Sequence, residues 1–464
     1  MLTERETAQG NPAADFAILR QRVQADLFAN MPVHVRRVGW GAGQIAAFQR
    51  SRLRALLASA IDHSPFHAGR LADVDPVTFE ISDLARLPVM TKAETMAEWD
   101  QVVTDPRLRL AAAERALAAA RTEPQSLLGQ YFCLATGGSS GQRGVFVSDA
   151  AAMTEFLSLI MRTAIARRPA GGGTQSGGMT IAFVAAAAPI HATGFAPKVM
   201  AGSPVTFVPV PVTLPLVEIV RRLNELQAPF LYGYPSMLAR LGREQRAGRL
   251  RIAPASVTSL SETLLPEYRT AIREAFHAPL IDSYAATEGL VGSSGPDETI
   301  ITLAADGCIA EFVDTENRPV PPGTPSAKVL ITNLYNHVQP LIRYELGDSC
   351  TRQPDALQHG HPLVTIEGRS DEVLRYKNTD IHPLVVRSVL LASPAVTDYQ
   401  VQQTRRGIAV NVQSDQPADL DAIRGRLRSA LTRAGLQDPD VSIREVPALP
   451  RNPETGKLRR FIPV

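Results

Sequence analysis

The chain has 464 residues, enough for two or three domains, and its 45% hydrophobic and 20% charged residues make an ordinary globular balance. Its 48 basic and 46 acidic residues leave a net charge of +2, which excludes a chain-wide field recruiting nucleic acid or an anionic membrane. Cys133, Cys308 and Cys350 lie far apart with no C-x-x-C spacing, so neither a zinc site nor a disulfide framework is expected. The start, Met1-Leu2-Thr3-Glu4-Arg5-Glu6, is polar, unlike a signal peptide, and the longest apolar run, Ile181 to Ile190, is about half a membrane span. A soluble cytoplasmic protein with no membrane and no nucleic-acid partner is expected.

In chain order, apolar residues recur with helical spacing over 43–61, and an alanine-rich stretch at 108–121 also reads as helix. Two short apolar runs, 131–134 and 145–147, flank a small-residue loop at 135–144. The glycine-rich stretch 169–178 reads as a surface loop. From 179 a regular alternation begins: strand 179–186, helix 215–226, strand 230–232, helix 236–247, strand 257–260, helix 266–276, strand 280–284. Strands alternating with helices of about a dozen residues imply βαβ units and a parallel sheet, which binds ligands at the carboxyl ends of its strands. After 305 short β segments follow at 308–313, 328–332 and 341–344. Near 370 the pattern changes again, with strands at 395–412 and 441–446 around a helix at 419–434. The expected fold is α/β: a large N-terminal domain, 1–370, with mostly parallel sheets flanked by helices plus a β subdomain, and a small α+β C-terminal domain, 371–464. The boundary is expected in the charged segment Gly368-Arg369-Ser370-Asp371-Glu372.

The loop Ala135-Thr136-Gly137-Gly138-Ser139-Ser140-Gly141-Gln142-Arg143-Gly144 carries three hydroxyls, four glycines and no bulk. Successive backbone N–H groups in such a turn make a concavity for an anion, and a polyphosphate suits it. The spacing fits neither a Walker loop nor the dinucleotide fingerprint. Taken alone, it also suits a plain connecting loop. Tyr284-Ala285-Ala286-Thr287-Glu288 ends a strand with a ring for stacking, a hydroxyl for a phosphate and a carboxylate for Mg²⁺, although from these five residues alone a strand end with a solvated Glu288 is the preferred reading. Asp348, after Gly347, offers a carboxylate to a ribose diol or simply occupies a turn. Lys457, in Thr455-Gly456-Lys457, would by itself be a solvated tail lysine.

The order of these motifs, with Gly368-Arg369-Ser370-Asp371 between the last two, resembles the adenylate-forming superfamily of acyl-CoA synthetases, carrier-loading adenylation domains and luciferases. Leu87-Pro88-Val89-Met90-Thr91-Lys92, Asn333-Leu334-Tyr335-Asn336 and Pro340-Leu341-Ile342-Arg343-Tyr344-Glu345-Leu346-Gly347-Asp348 resemble its phenylacetate–CoA ligase branch. The resemblance spans about residues 45 to 460. It implies that Thr136, Gly138, Ser139, Ser140 and Gly141, with Arg143, lie on the loop that closes over the β- and γ-phosphates of ATP. By the same resemblance Tyr284 stacks on adenine with Ala285 beside it, Thr287 meets the α-phosphate, Glu288 ligates Mg²⁺, Asp348 accepts the ribose hydroxyls and Arg369 assists. Asp371 falls on the hinge, Lys457 on the catalytic lysine and His191 on a histidine bordering the acyl pocket. That pocket would draw on Tyr232 to Ser236, Leu260 to Glu262 and Ala285-Ala286, whose mostly small, apolar side chains suit an uncharged acyl body.

The implied activity is ATP-dependent conversion of an aromatic or compact carboxylic acid to an acyl-adenylate, then transfer to coenzyme A. Two departures stand out. Gln142-Arg143 replace the family's Lys-Pro in the loop, and Lys377-Asn378-Thr379-Asp380-Ile381 has no glycine where the family has a glycine-containing turn beside the thiol channel. The second keeps open an acceptor other than coenzyme A, a carrier-protein thiol or a nitrogen nucleophile, and an inactive adenylate-binding module stands behind both. The sequence leaves the acid and the oligomeric state open, a homodimer included.

Overall fold

A nine-stranded sheet organises the larger part of the chain, with strand order Asp348–Arg352, Leu363–Arg369, Ile301–Leu303, Val291–Ser294, Leu280–Ala285, Ser256–Leu260, Phe230–Gly233, Met179–Val184, Val205–Pro209. The computed structural model describes residues 12–136, 143–167, 179–354, 360–369, 372–393 and 395–464. The chain divides into two compact units, Met1–Glu367 and Gly368–Val464.

In the first unit the five strands from Val205–Pro209 to Leu280–Ala285 pair in parallel. Val291–Ser294 and Ile301–Leu303 then extend the sheet antiparallel. The helices between parallel strands are amphipathic: Leu216–Leu226 buries Ile219, Val220 and Leu223, and Pro235–Arg246 buries Met237, Leu238 and Leu241. Proline starts Pro235–Arg246 and Pro266–Phe276, where its missing N–H is no loss. Every parallel strand therefore ends facing the same way. The loops after Val184, Gly233, Leu260 and Ala285 gather at one edge, as a parallel sheet requires. A three-stranded antiparallel sheet of Cys308–Val313, Lys328–Asn333 and Tyr344–Leu346 is the β subdomain.

Three local readings are corrected. The strand expected at 341–344 begins only at Tyr344, because Arg343 takes a left-handed backbone, φ 54°, that no strand accommodates. The run at 395–412 is two strands, Val396–Gln403 and Gly407–Ser414, folded as a hairpin. The first forty residues, left unassigned from sequence, carry the helix Pro12–Arg37, whose Phe16, Leu19, Val23, Leu27 and Met31 enter the main core. The glycine-rich stretch 169–178 lies outside the described residues.

The second unit is a four-stranded mixed sheet, ordered Asp440–Glu445, Gly407–Ser414, Val396–Gln403, Phe461–Ile462, with helices Pro383–Leu391 and Leu420–Arg433. Leu374–Tyr376 and Thr379–Ile381 pair as a separate hairpin whose tip is Lys377-Asn378. Neither tip residue has a positive φ, so this turn does not call for the glycine that the resemblance led one to expect.

Candidate active site

The small-residue loop grows out of a two-stranded hairpin, Phe132–Ala135 against Val145–Ser148. Thr136 and Gly144 close it: Thr136 N–H donates to the Gly144 carbonyl at 2.9 Å, and Gly144 N–H donates to Thr136 Oγ1 at 2.9 Å. Gly138, Ser139, Ser140 and Gly141 lie outside the described residues, and Arg143 is exposed beside them. An isolated two-stranded hairpin is marginal in water, but here both outer edges are held. On one edge Ala135 N–H donates to the Ile190 carbonyl at 2.8 Å, and the Ala135 carbonyl accepts from His191 Nδ1 at 2.9 Å. A carbonyl only accepts, so Nδ1 carries the proton. On the other edge the side chains of Trp99, Asn336 and Gln339 bond the backbone of Val145 and Val147.

Tyr284 and Ala285 end the last parallel strand, and Ala286 to Leu290 turn the chain into the antiparallel extension. Thr287 and Glu288 sit in that turn, Glu288 buried at 7% exposure. The Tyr284 hydroxyl donates to Asp348 Oδ2 at 3.0 Å. Burial and the Asp348 carboxylate hold this phenol well above its ordinary pKa, so it stays a donor. Asp348 is itself 9% exposed and opens its strand. Beneath them Asp282 accepts from Ser259 Oγ, and burial raises its carboxyl to about 6.

Asn333, Tyr335, Asn336 and Gln339 were not singled out as site residues in sequence. Asn333 Nδ2 donates to the Glu288 carbonyl at 3.0 Å, and the Tyr335 hydroxyl donates to the Gly289 carbonyl at 3.0 Å. Gly289 has φ +118°, and a Cβ there would fall 2.2 Å from Asn333 Nδ2, so only glycine fits. Amides in a polar connector look ordinary; the one available signal was the branch-like wording Asn333-Leu334-Tyr335-Asn336.

Of the acyl-pocket candidates, Tyr234 is fully buried, its oxygen accepting from Ala186 N–H at 3.0 Å and its phenol pushed up to about 12 by burial. Glu262 accepts from Ser236 N–H at 3.2 Å, and Ser261 takes φ +66°. His191 is 6% exposed and immediately precedes helix Ala192–Val199.

In the second unit Arg369 is half-buried at its start, and Asp371 lies outside the described residues. Lys457 is half-buried in a turn built by Asn452, whose Oδ1 accepts from Glu454 and Thr455 N–H at 2.9 and 2.8 Å, while Asn452 N–H donates to the Lys457 carbonyl at 3.0 Å. Beyond it Arg460 pairs with buried Asp398 at 2.8 Å and lies 4.4 Å over the Tyr399 ring, which ties the turn to the sheet.

Among the described residues no group of three or more His, Cys, Asp or Glu could cage a metal. A single buried carboxylate, Glu288, fits Mg²⁺, which commonly takes one or two carboxylates and completes its shell with water and substrate phosphates. No helix among the described residues is long and apolar enough to cross a membrane.

No family model matches the chain. Over 183 residues it is 28% identical to phenylacetate-coenzyme A ligase of Thermus thermophilus, 34% of this chain and 41% of that protein. The structure of 2-hydroxyisobutyryl-CoA ligase in a postadenylation state, in complex with an AMP adduct, is similar at a TM-score of 0.70, covering 92% of this chain and 91% of that one at 18% identity. An amide bond synthetase from Marinactinospora thermotolerans is similar at 0.51, covering 69% and 66% at 16% identity. The chain has the fold of adenylate-forming enzymes, and it spans less than half the length of the phenylacetate–CoA ligase that part of its sequence resembles.

Proposed function

We propose that the protein activates a carboxylic acid with ATP and passes the acyl group to coenzyme A. A carboxylate oxygen attacks the α-phosphorus, the bond to the β-phosphate oxygen breaks, and pyrophosphate leaves. A thiol sulfur then attacks the acyl carbon, the acyl–phosphate bond breaks, AMP leaves and the thiol proton goes to solvent.

The observation that carries this reading is the hydrogen bond from Tyr284 to Asp348. The residues that the resemblance gives to adenine and to ribose, 64 positions apart in sequence, meet as the two ends of one nucleoside require. Thr287 and Glu288 follow within four residues of Tyr284 and suit the α-phosphate and Mg²⁺. When bound, Mg²⁺ would neutralise phosphate charge at Glu288. Thr136, Gly138, Ser139, Ser140, Gly141 and Arg143 would hold the outgoing phosphates through backbone N–H groups, hydroxyls and the guanidinium. Lys457 would bring a cation to the reacting oxygens, and Arg369 would assist Asp348 at the ribose. The small C-terminal domain, 371–464, would carry Lys457 to and from the site by a hinge at Asp371, opening a path for the thiol. These residue roles rest on the resemblance together with the geometry around Tyr284.

Coenzyme A is preferred as acceptor because the sequence relative is a phenylacetate-coenzyme A ligase and the CoA ligase structure covers 92% of the chain, against 69% for the amide synthetase. The amide synthetase keeps a nitrogen acceptor as the second reading, and a carrier-protein thiol belongs with it. The acid is taken to be aromatic or compact from the resemblance to the phenylacetate–CoA ligase branch, and the mostly small, apolar side chains of Tyr232–Ser236 and Leu260–Glu262 would suit an uncharged acyl body. ATP–pyrophosphate exchange over a broad panel of acids tests activation, and product mass with and without coenzyme A tests the acceptor. Exchange with no CoA adduct would move the reading to the alternative acceptors. No exchange with any acid would leave an inactive adenylate-binding module.

A further inference from the structure

We propose that the segment Asn333–Gln339 is a strut that fixes the Thr287-Glu288 turn and the phosphate-loop hairpin relative to each other, with Asn333 and Gln339 as positioning residues; this rests on the adenylation reading above.

At one end, Asn333 is 2% exposed and uses both the nitrogen and the oxygen of its amide. Nδ2 reaches the Glu288 carbonyl at 3.0 Å, while Oδ1 accepts from Tyr335 and Asn336 N–H at 3.0 and 3.1 Å. Tyr335 adds its hydroxyl to the next carbonyl, Gly289, at 3.0 Å. Burial, then Cys308 and Glu155, hold that phenol well above its ordinary pKa, so it too remains a donor. Two successive carbonyls of the turn that carries the candidate metal-ligating carboxylate are thus gripped from one side.

At the other end, Asn336 Nδ2 donates to the Val147 carbonyl at 2.9 Å, and Gln339 Oε1 accepts from Val147 N–H at 2.9 Å. Gln339 Nε2 also donates to the Val145 carbonyl at 3.3 Å. Two side-chain amides stand where a neighbouring strand would otherwise bond the edge of Val145–Ser148. Gln339 is fully buried and Asn336 is 8% exposed. Between the ends the segment is pinned by Thr104, whose N–H donates to the Val338 carbonyl and whose Oγ1 donates to the His337 carbonyl, each at 2.9 Å.

Seven residues therefore connect two parts of the site that are otherwise far apart in sequence. The chemistry needs them at fixed separation, since one end meets the α-phosphate and metal and the other the departing pyrophosphate. Groups that orient a metal ligand change metal affinity or activity about 10–100-fold when removed.

The test uses the full-length protein and the variants Asn333→Asp, Asn333→Ala, Gln339→Glu and Gln339→Ala. Mg·ATP binding is measured by calorimetry, ATP–pyrophosphate exchange as a function of Mg²⁺ and of acid, and folding by thermal unfolding. Asn333→Asp keeps the acceptor for Tyr335 and Asn336, and replaces the donor to Glu288 with a carboxylate oxygen that repels that carbonyl. Both Asn333 variants should raise the Mg²⁺ needed for half-maximal exchange about 10-fold or more, with the KM for the acid near wild type. Gln339→Glu, which keeps the acceptor for Val147, should raise the KM for ATP less than Gln339→Ala. Unchanged Mg²⁺ and ATP requirements in folded variants, with activity falling only with the folded fraction, would overturn the strut. A wild type that binds Mg·ATP without exchange would overturn the adenylation reading, and the strut is then judged on the binding data. A wild type that binds no nucleotide would overturn both.

Discussion

His191 gives its Nδ1 hydrogen to the carbonyl of Ala135, one residue before Thr136. The side chain that the resemblance assigns to the acyl pocket is thus also a brace for the strand that leads into the proposed phosphate loop. Removing it leaves a buried carbonyl without its donor, at a cost of about 1–3 kcal/mol. For His191→Ala we expect a rise in the KM for ATP at least as large as that for the acid, measured by exchange kinetics. A rise confined to the acid would give His191 a pocket role alone.

Tyr284→Phe keeps the ring and deletes the donor to Asp348. Nucleotide affinity should fall, and Asp348→Ala should weaken it further. Because the two groups touch, the double variant should lose less than the sum of the singles, with a coupling of about 0.5–3 kcal/mol. Strict additivity in calorimetric ATP binding would separate the two residues functionally.

For Lys457→Ala, losing one charge donor at the reacting phosphate should slow the adenylation half-reaction by roughly two to three decades. Consumption of a supplied acyl-adenylate should be nearly unaffected. Equal loss in both half-reactions would argue against a lysine that serves one step and then withdraws.

Two buried histidines set an acid limit on stability. Burial, then Arg37, brings His34 down to about 4, and burial brings His67 to about 4 although the Pro340 carbonyl opposes it. The unfolded chain titrates near 6.5. Between 6.5 and 4 the unfolded chain takes up protons that the folded one refuses, so stability is full above 6.5, falls as pH drops through this window, and loses nothing further from these groups below it. Each histidine accounts for up to about 3 kcal/mol. Urea unfolding at pH 7.5 and 5 should show the loss, and His67→Gln should flatten the slope.

Arg343 makes three hydrogen bonds to Glu311, at 2.9, 3.0 and 3.2 Å, and its Nη1 reaches the Ala85 and Leu87 carbonyls. It is 4% exposed. Breaking such a buried pair from one side costs about 3–5 kcal/mol. Arg343→Ala should therefore lower the thermal midpoint, while the folded fraction retains nucleotide affinity.

Much of the fold was legible because its signals are local. Helix Pro266–Phe276 and strand Cys308–Val313 coincide with their predicted limits, since a proline start and a short apolar run mark them. Tyr284 and Asp348 could be picked out by wording, but their contact could not, because 64 residues separate them. Arg343's left-handed backbone hid inside a run that reads as strand. The bracing roles of Asn333 and Gln339 were hidden for another reason: a buried amide working as surrogate backbone has no periodicity and no charge to announce it, and the wording around Asn333 names no role.

The posts Thr136 and Gly144 are fastened from outside, by His191 and Ile190 on one strand edge and by Trp99, Asn336 and Gln339 on the other. Closure of the hairpin is thus accounted for by the posts and their outside braces. Substitutions between the posts, Arg143 among them, are therefore expected to leave the closure of the hairpin intact. If the span holds phosphate as proposed, changes there should alter nucleotide affinity while leaving the unfolding midpoint where it is.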